Sequence, residues 1–434
     1  MSESIRTESP GPTWFGQPRG LTILFLTQMW EIFSYYGMRT LLIYYMTKQL
    51  LFGQQHASLV FGTYVAMAYF TPILGGVIAD RWLGKRRAVI LGGSIMAIGH
   101  GMMAFDAWLY VALGTIALGN GLFTPSLPSQ VGELYKKNDP RSGRAFNIYY
   151  VGINLGGLLA PLVCGTLGEL YGWHYGFAAA GIGMLVGLVI YVCGGRYLPA
   201  SAPVRRTDPS ARADLRDYKS TLMLLLAVGL AVTVFRAAYE QLGNTVALWI
   251  DSGVDRAAAG VVIPMTWFQS LNPFFVFLLT PFLLAVWRAR SRSGSEPASM
   301  RKMAIGALVI ALAYLLLAML TSLAGPAQVH WLWLVLFFGV FTLGELYILP
   351  TGLGLFARLA PPGHGATTVA AWFLAIFSGS LAAGAAGTLW SVMGHGAFFL
   401  CLAGLAALAA LLLFLLESLA ARIEAQRAAS SDAT

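Results

Sequence analysis

Between Thr27 and Met46 the chain reads TQMWEIFSYYGMRTLLIYYM. This is an apolar helix long enough to cross a bilayer, yet Gln28, Glu31, Tyr35, Tyr36 and Arg39 recur on about one of its faces. Ionised groups at membrane depth cost roughly 2.5–3.5 kcal/mol each on insertion scales. Such a stripe does not face lipid: it lines a wet cavity or pairs with other helices.

The rest of the chain has the matching composition. Hydrophobic residues make up 57% and charged residues 11% of 434 positions, where a soluble chain carries about 25% charge. A polytopic membrane protein is expected. The first twenty residues are polar and hold Pro10, Pro12 and Pro18, so no leader is read there and the first helix is expected to direct insertion. Cys164, Cys193 and Cys401 are isolated in apolar segments and the six histidines are scattered. Neither a disulfide framework nor a metal site is expected, and no cofactor.

The net charge of +9 does not point to nucleic acid, because its placement is ordered. Arg81, Lys85, Arg86 and Arg87 form one cluster, and Lys136, Lys137, Arg141 and Arg144 a second. Arg205, Arg206, Arg212, Arg216 and Lys219 form a third; Arg288, Arg290, Arg292, Arg301 and Lys302 a fourth. The loops between carry little more than Lys48, Asp106, His174, Asp251, Asp255 and Arg256. This positive-inside asymmetry places the basic loops and both termini in the cytoplasm.

Apolar spans are read at 21–48, 57–79, 87–105, 108–132, 145–168, 175–196, 220–250, 258–287, 302–323, 329–358, 366–391 and 395–421, twelve in all. An even count agrees with both ends on one side. The polar, Pro-rich stretch 199–219 is the one clear shift in composition. It divides the chain into a six-helix bundle over 1–198, a cytoplasmic linker, and a second six-helix bundle over 220–434 with a short polar tail. An internal repeat with a midplane site between the halves is expected from helix count and linker position alone.

GGVIADRWLGKRRAV, Gly75 to Val89, resembles the loop signature of the major facilitator superfamily. In that reading Asp80 and Arg81 form a conformational latch. Other stretches resemble the proton-dependent oligopeptide transporter family within that superfamily: WEIFSYYGMR, FNIYYVGINLGGLLAPL, YEQLGNT, FQSLNPFF, GELYILPTGL and WFLA, in the family's order. The likeness runs from about Thr27 to Leu400.

The resemblance implies an all-α major facilitator fold and transport of small peptides by alternating access across a bacterial inner membrane. It makes Arg39 the cation for a peptide's carboxylate. Asn154, Asn272 and Glu345 become the set for its amino terminus, and Tyr35, Tyr36, Tyr69, Trp372 and Phe373 the aromatic walls. Glu240 becomes the acid that pairs with Arg39 when the site is empty or closed. The residue chemistry agrees. Arginine holds a carboxylate in a bidentate fork, and a carboxylate with amide oxygens satisfies an ammonium's three donors.

The departures are specific. Where the family has two glutamates three apart and then a base, this chain has Gln28, Glu31 and Ile32; Thr124 stands where the family has a fourth-helix lysine. Arg236 stands where the family usually has tryptophan, four residues before Glu240 and on the same face. Three acids, Glu31, Glu240 and Glu345, thus face two bases, Arg39 and Arg236, and the net cavity charge matches the family's with a changed layout. The expectation is proton coupling through a reduced set, Glu240, Glu345 and Glu31. Arg236 is expected as a second cation for the substrate carboxylate, whose binding frees Glu240 to take a proton. The expected partners are peptide, protons and lipid, with the chain a monomer. Two other readings stay open: a same-fold carrier of another small zwitterion with weak or no proton coupling, and a non-transporting peptide sensor. No nucleophile elbow, phosphate loop or metal spacing suggests an enzyme.

Overall fold

The computed structural model describes residues 13–14, 16–135, 139, 141–199, 218–325 and 327–432, the last eight by backbone alone. Lys136, Lys137, Arg205, Arg206, Arg212, Arg216 and the body of the expected linker lie outside the described residues.

Long helices stand at each position where a span was expected. In chain order they are α1 (Arg19–Tyr44), α2 (Gln54–Leu83), α3 (Lys85–Met102), α4 (Asp106–Glu133), α5 (Ser142–Tyr171) and α6 (Trp173–Tyr197). Then come α7 (Lys219–Gly253), α8 (Met265–Arg292), α9 (Ser299–Ala324), α10 (Leu332–Arg358), α11 (Gly365–Ser391) and α12 (His395–Leu415). Ten of these have the length and apolarity to cross a membrane; α1 and α3 fall short in apolarity. The reason is local: α1 carries the polar stripe, and α3 opens on Lys85, Arg86 and Arg87.

Packing reveals a repeat that the residues themselves do not display. α1 packs on α5 and α6, α2 on α4, and α3 on α4 and α6. Adding six to each number turns these into α7 on α11 and α12, α8 on α10, and α9 on α10 and α12, all of which are also in contact. The two sets meet through α2–α11 and α5–α8, and the same shift exchanges these two contacts. The sets are therefore related as two copies of one arrangement, with a seam between them.

Helix breaks follow the prolines and the seam. Pro161 lacks an amide hydrogen, and the fifth helix passes through a π-turn over Pro161–Gly165. The fourth helix breaks at Thr124 and Pro125, between segments Leu109–Phe123 and Ser126–Glu133. α7 tightens into a 3-10 turn over Glu240–Gly243 before resuming at Thr245.

Two expectations change in detail. Residues 258–264 do not open the eighth span: Ala257–Ala258 and Val261–Val262 pair as a two-residue hairpin. Ala259 and Gly260 turn it with φ of 50° and 82°, the left-handed geometry that such hairpins demand. The apolar run there had mimicked a helix. The last span ends at Leu415 rather than 421, and the polar tail beyond it contains a further helix, α13 (Glu417–Asp432). The fold is otherwise helical, with two-residue ladders at Thr13–Trp14/Gln17–Pro18 and Val254–Asp255/Val329–His330.

Candidate functional site

The polar face of α1 meets α7 at the seam. Arg39 donates from Nη2 to Glu240 Oε2 at 2.5 Å. Arg236, one turn before Glu240 on α7, donates from its own Nη2 to the other oxygen, Oε1. One carboxylate is thus held by two guanidiniums, one from each helix set. The side chains are 12% exposed for Arg39, 2% for Arg236 and 1% for Glu240. Arg236 therefore does not snorkel to lipid headgroups.

Aromatic rings wrap both cations. The Arg39 guanidinium lies 5.7 Å from the Tyr36 ring centre and 5.6 Å from that of Phe61. The Arg236 guanidinium lies 5.2 Å from Tyr69 and 4.6 Å from Tyr239. Two glycines make the space. A Cβ at Gly243 would come within 2.9 Å of Phe61 and 3.4 Å of Arg39 Nη2, and one at Gly379 on α11 would run into the Arg236 stem. Each guanidinium meets Glu240 through one nitrogen only. The Nε atoms of Arg39 and Arg236 are buried and without a partner.

A second polar group comes from α8 and α10. Asn272 donates to Glu345 Oε2 at 2.6 Å and to Thr342 Oγ1 at 3.1 Å. Tyr239 of α7 lies with its ring against the Arg236 guanidinium and is close to Glu345 as well, so it stands between the two polar groups. Tyr36 on α1 is within electrostatic reach of Arg39, Glu240 and Glu345. Asn154 donates to the Tyr150 carbonyl at 3.0 Å, and Tyr150 in turn lies near both Asn154 and Glu345. The structure therefore draws Arg39, Tyr36, Tyr69, Arg236, Glu240, Asn272 and Glu345 into one neighbourhood, with Asn154 at its α5 edge. Tyr35 is buried behind Tyr36 and stacks on Tyr64 at 6.2 Å.

Other sequence-picked residues sit apart. Glu31 is buried, and Gln28 donates to it at 2.6 Å while accepting a hydrogen bond from Tyr149 of α5. Trp372 is 2% exposed and packs on Phe356 at 5.3 Å, over Gly352. Phe373 is half-buried beside it. Thr124 donates to Asn120 at 2.6 Å. Asp80 and Arg81 are exposed in a π-turn over Ala79–Leu83. The residues that sequence reading missed are Tyr149, Tyr150, Tyr239 and Thr342. Tyr149 and Tyr150 fall inside FNIYYVGIN and Tyr239 inside YEQLGNT, so the motifs held them unremarked.

Polar contacts between the sets gather at the end of the seam away from the basic loops. Tyr44 donates to the Ala247 carbonyl at 2.8 Å, and Lys48 pairs with Asp251 at 2.7 Å. Ser58 donates to Asn244 at 2.9 Å, and Gln54 to the Gly387 carbonyl at 2.8 Å. Glu169, near the end of α5, caps the start of α8: it accepts from the amides of Met265 and Thr266 at 3.0 and 2.8 Å and from the Thr266 hydroxyl. That end is cross-linked by both charged and backbone contacts.

A family model described as the POT family matches residues 86–213 and 201–398. The chain belongs to the POT family. It is 32% identical to the peptide transporter YePEPT of Yersinia enterocolitica, over 88% of this chain and 90% of that one. It is 32% identical to a di-/tripeptide transporter of Lactococcus lactis, over 84% and 88%. A mutant of a solved POT peptide transporter in complex with alafosfalin superposes with a TM-score of 0.89 at 30% identity, covering 95% of this chain and 97% of that one. The chain is thus a multi-pass membrane protein with the major facilitator fold, and its relatives are transporters rather than enzymes.

Proposed function

We propose that this chain is a secondary active transporter of di- and tripeptides that works by alternating access. It crosses a bacterial inner membrane twelve times, with both termini and the basic loops cytoplasmic. Residues 1–198 and 220–434 form the two moving bundles, joined by a linker over 199–219, and the monomer is the working unit. Asp80 and Arg81 serve as a latch on the cytoplasmic side. In this orientation the cross-linked end faces outward, which supports reading this arrangement as closed to the outside.

The observation that carries the reading is the half-used fork of Arg39. Its Nη2 binds Glu240 while its buried Nε has no partner. A peptide carboxylate taking both nitrogens gains a bidentate charge-assisted contact that Glu240 does not provide. Glu345, with Asn272 held against it at 2.6 Å, is the acid for the peptide's ammonium, and Asn154 adds an amide. Tyr36 and Tyr69, with Tyr35 behind Tyr36, provide apolar area with few fixed demands on side-chain identity, and Trp372 and Phe373 are aromatic walls farther along α11. Coupled protons are drawn from among the acids that remain, Glu31, Glu240 and Glu345.

Counterflow into proteoliposomes tests the substrate class. Free dipeptides should exchange. Acetylating the amine removes a charge-assisted contact worth about 1.5–3 kcal/mol and should cost affinity by that much. Equal exchange of free and acetylated peptides would reverse the assignment of Glu345. A second reading, a carrier of another small zwitterion, is favoured by Gln28 and Thr124, where the family's acid and lysine are missing. Exchange of single amino acids in preference to dipeptides would select it.

A further inference from the structure

Glu240 is the one acid in the site with two cations, and they differ in a way that matters once the halves move. Arg39 comes from α1 and reaches Oε2 across the seam; Arg236 comes from α7 itself, four residues away, and reaches Oε1. An alternating-access cycle separates the helix sets. The seam contact must break in that step, whereas the contact within α7 travels with the helix.

We propose that Arg236 is a tethered counter-ion that takes the place of a coupled proton at Glu240. This rests on the transporter reading above and narrows it. In a site with Arg39 alone, breaking the seam contact leaves a buried carboxylate without a partner, a state costly enough to demand protonation. Here the carboxylate keeps Arg236. A peptide carboxylate can capture Arg39, or the sets can part, and the charge on Glu240 stays balanced without a proton.

The surroundings favour this over the use of Arg236 as a second substrate cation. Its guanidinium is packed between the Tyr69 and Tyr239 rings, and Gly379 lets α11 close on its stem. The groups facing Glu240 are Arg39 and Tyr36 from α1, Tyr69 from α2 behind Arg236, Tyr239 from α7 and Tyr314 from α9, with Glu345 from α10 the one other acid. Proton coupling then falls to Glu345 and Glu31, and Arg236 is a positioning residue, acting on substrate through Glu240.

Proton stoichiometry distinguishes this from a structural role. The number of protons moved per dipeptide is read from the peptide gradient that a fixed pH gradient just holds in proteoliposomes. Arg236→Gln should gain one coupled proton per dipeptide relative to wild type, and Arg236→Lys should keep the wild-type number. Glu240→Gln in the wild-type background should also leave the number unchanged. It supplies the test by itself if Arg236→Gln does not fold. An unchanged number in folded Arg236→Gln, or the loss of one proton in Glu240→Gln, would overturn the proposal. A wild type that moves no dipeptide overturns this together with the peptide reading; one that moves dipeptide with the wrong proton numbers overturns this alone.

Discussion

Arg39 Nη2 and Glu240 Oε2 lie 2.5 Å apart although 201 positions separate the two residues in the chain. Among the described residues the contact is the deepest charged link between the two helix sets, and its partners are almost entirely withdrawn from solvent. A buried ion pair is weak evidence for stability, but removing one partner costs about 3–5 kcal/mol because the other charge is stranded. In the proposed alternating cycle it holds at this seam until another carboxylate competes.

Arg39 should therefore be indispensable for binding. Arg39→Ala is expected to abolish dipeptide binding. Arg39→Lys keeps the charge and loses the fork, which should weaken binding by about 1.5–3 kcal/mol. Calorimetry on purified protein measures both. Unchanged affinity in Arg39→Ala would remove Arg39 from the substrate site.

Gln28 is more than a lost acid. Its amide bridges Tyr149 of α5 and Glu31 of α1, donating to one and accepting from the other. Gln28→Glu alone removes the donor to Glu31 and sets two carboxyls against each other, so it should lower the melting temperature. Adding Ile32→Arg supplies a cation one residue beyond Glu31 and should recover stability and strengthen pH-gradient-driven accumulation. A single Gln28→Glu as stable as wild type would show that the Gln28–Glu31 contact is dispensable.

Glu169 should set how readily the cross-linked end opens. Glu169→Ala strips the acceptor from two backbone amides of α8 and leaves them unpaired, a penalty of about 1–3 kcal/mol borne by the cross-linked state. The population open at that end should rise, as read by the distance between spin labels on α5 and α8. The exposed pair Lys48–Asp251 should matter less, by about 0–1 kcal/mol. An unshifted distance distribution in Glu169→Ala would make this cap incidental.

Gly379 and Gly404 offer a controlled comparison. A Cβ at Gly379 has no room against the Arg236 stem, whereas one at Gly404 on α12 meets nothing within 4 Å. Gly379→Ala should cost about 1–3 kcal/mol through forced repacking, and Gly404→Ala should cost nothing measurable. Thermal unfolding of the two variants in detergent checks the contrast, and equal melting temperatures would contradict the packing described here.

How much of this was legible in the sequence follows from what each residue type can signal. A charge in an apolar helix has few bland explanations, so Glu31, Arg39, Arg236, Glu240 and Glu345 were conspicuous. Tyrosines in membrane helices are equally at home in packing, so the place of Tyr239 between Arg236 and Glu345 was invisible, and so was the bond of Tyr149 to Gln28. Helix positions were readable from hydropathy and loop charge. The 3-10 turn at Glu240 and the Ala259–Gly260 hairpin were not, because their one glycine each, Gly243 and Gly260, is a residue that membrane helices also use freely. The sixfold shift in helix contacts emerged only from packing, since a repeat in shape need not persist as a repeat in residues.

The most direct measurement is uptake of a radiolabelled dipeptide into proteoliposomes, with and without an inward proton gradient. The account predicts saturable uptake that unlabelled dipeptide competes away, accumulation against a concentration gradient when the outside is acidic, and loss of that uptake in Arg39→Ala. Absence of dipeptide uptake under both conditions, by protein shown to be folded and correctly inserted, would contradict it.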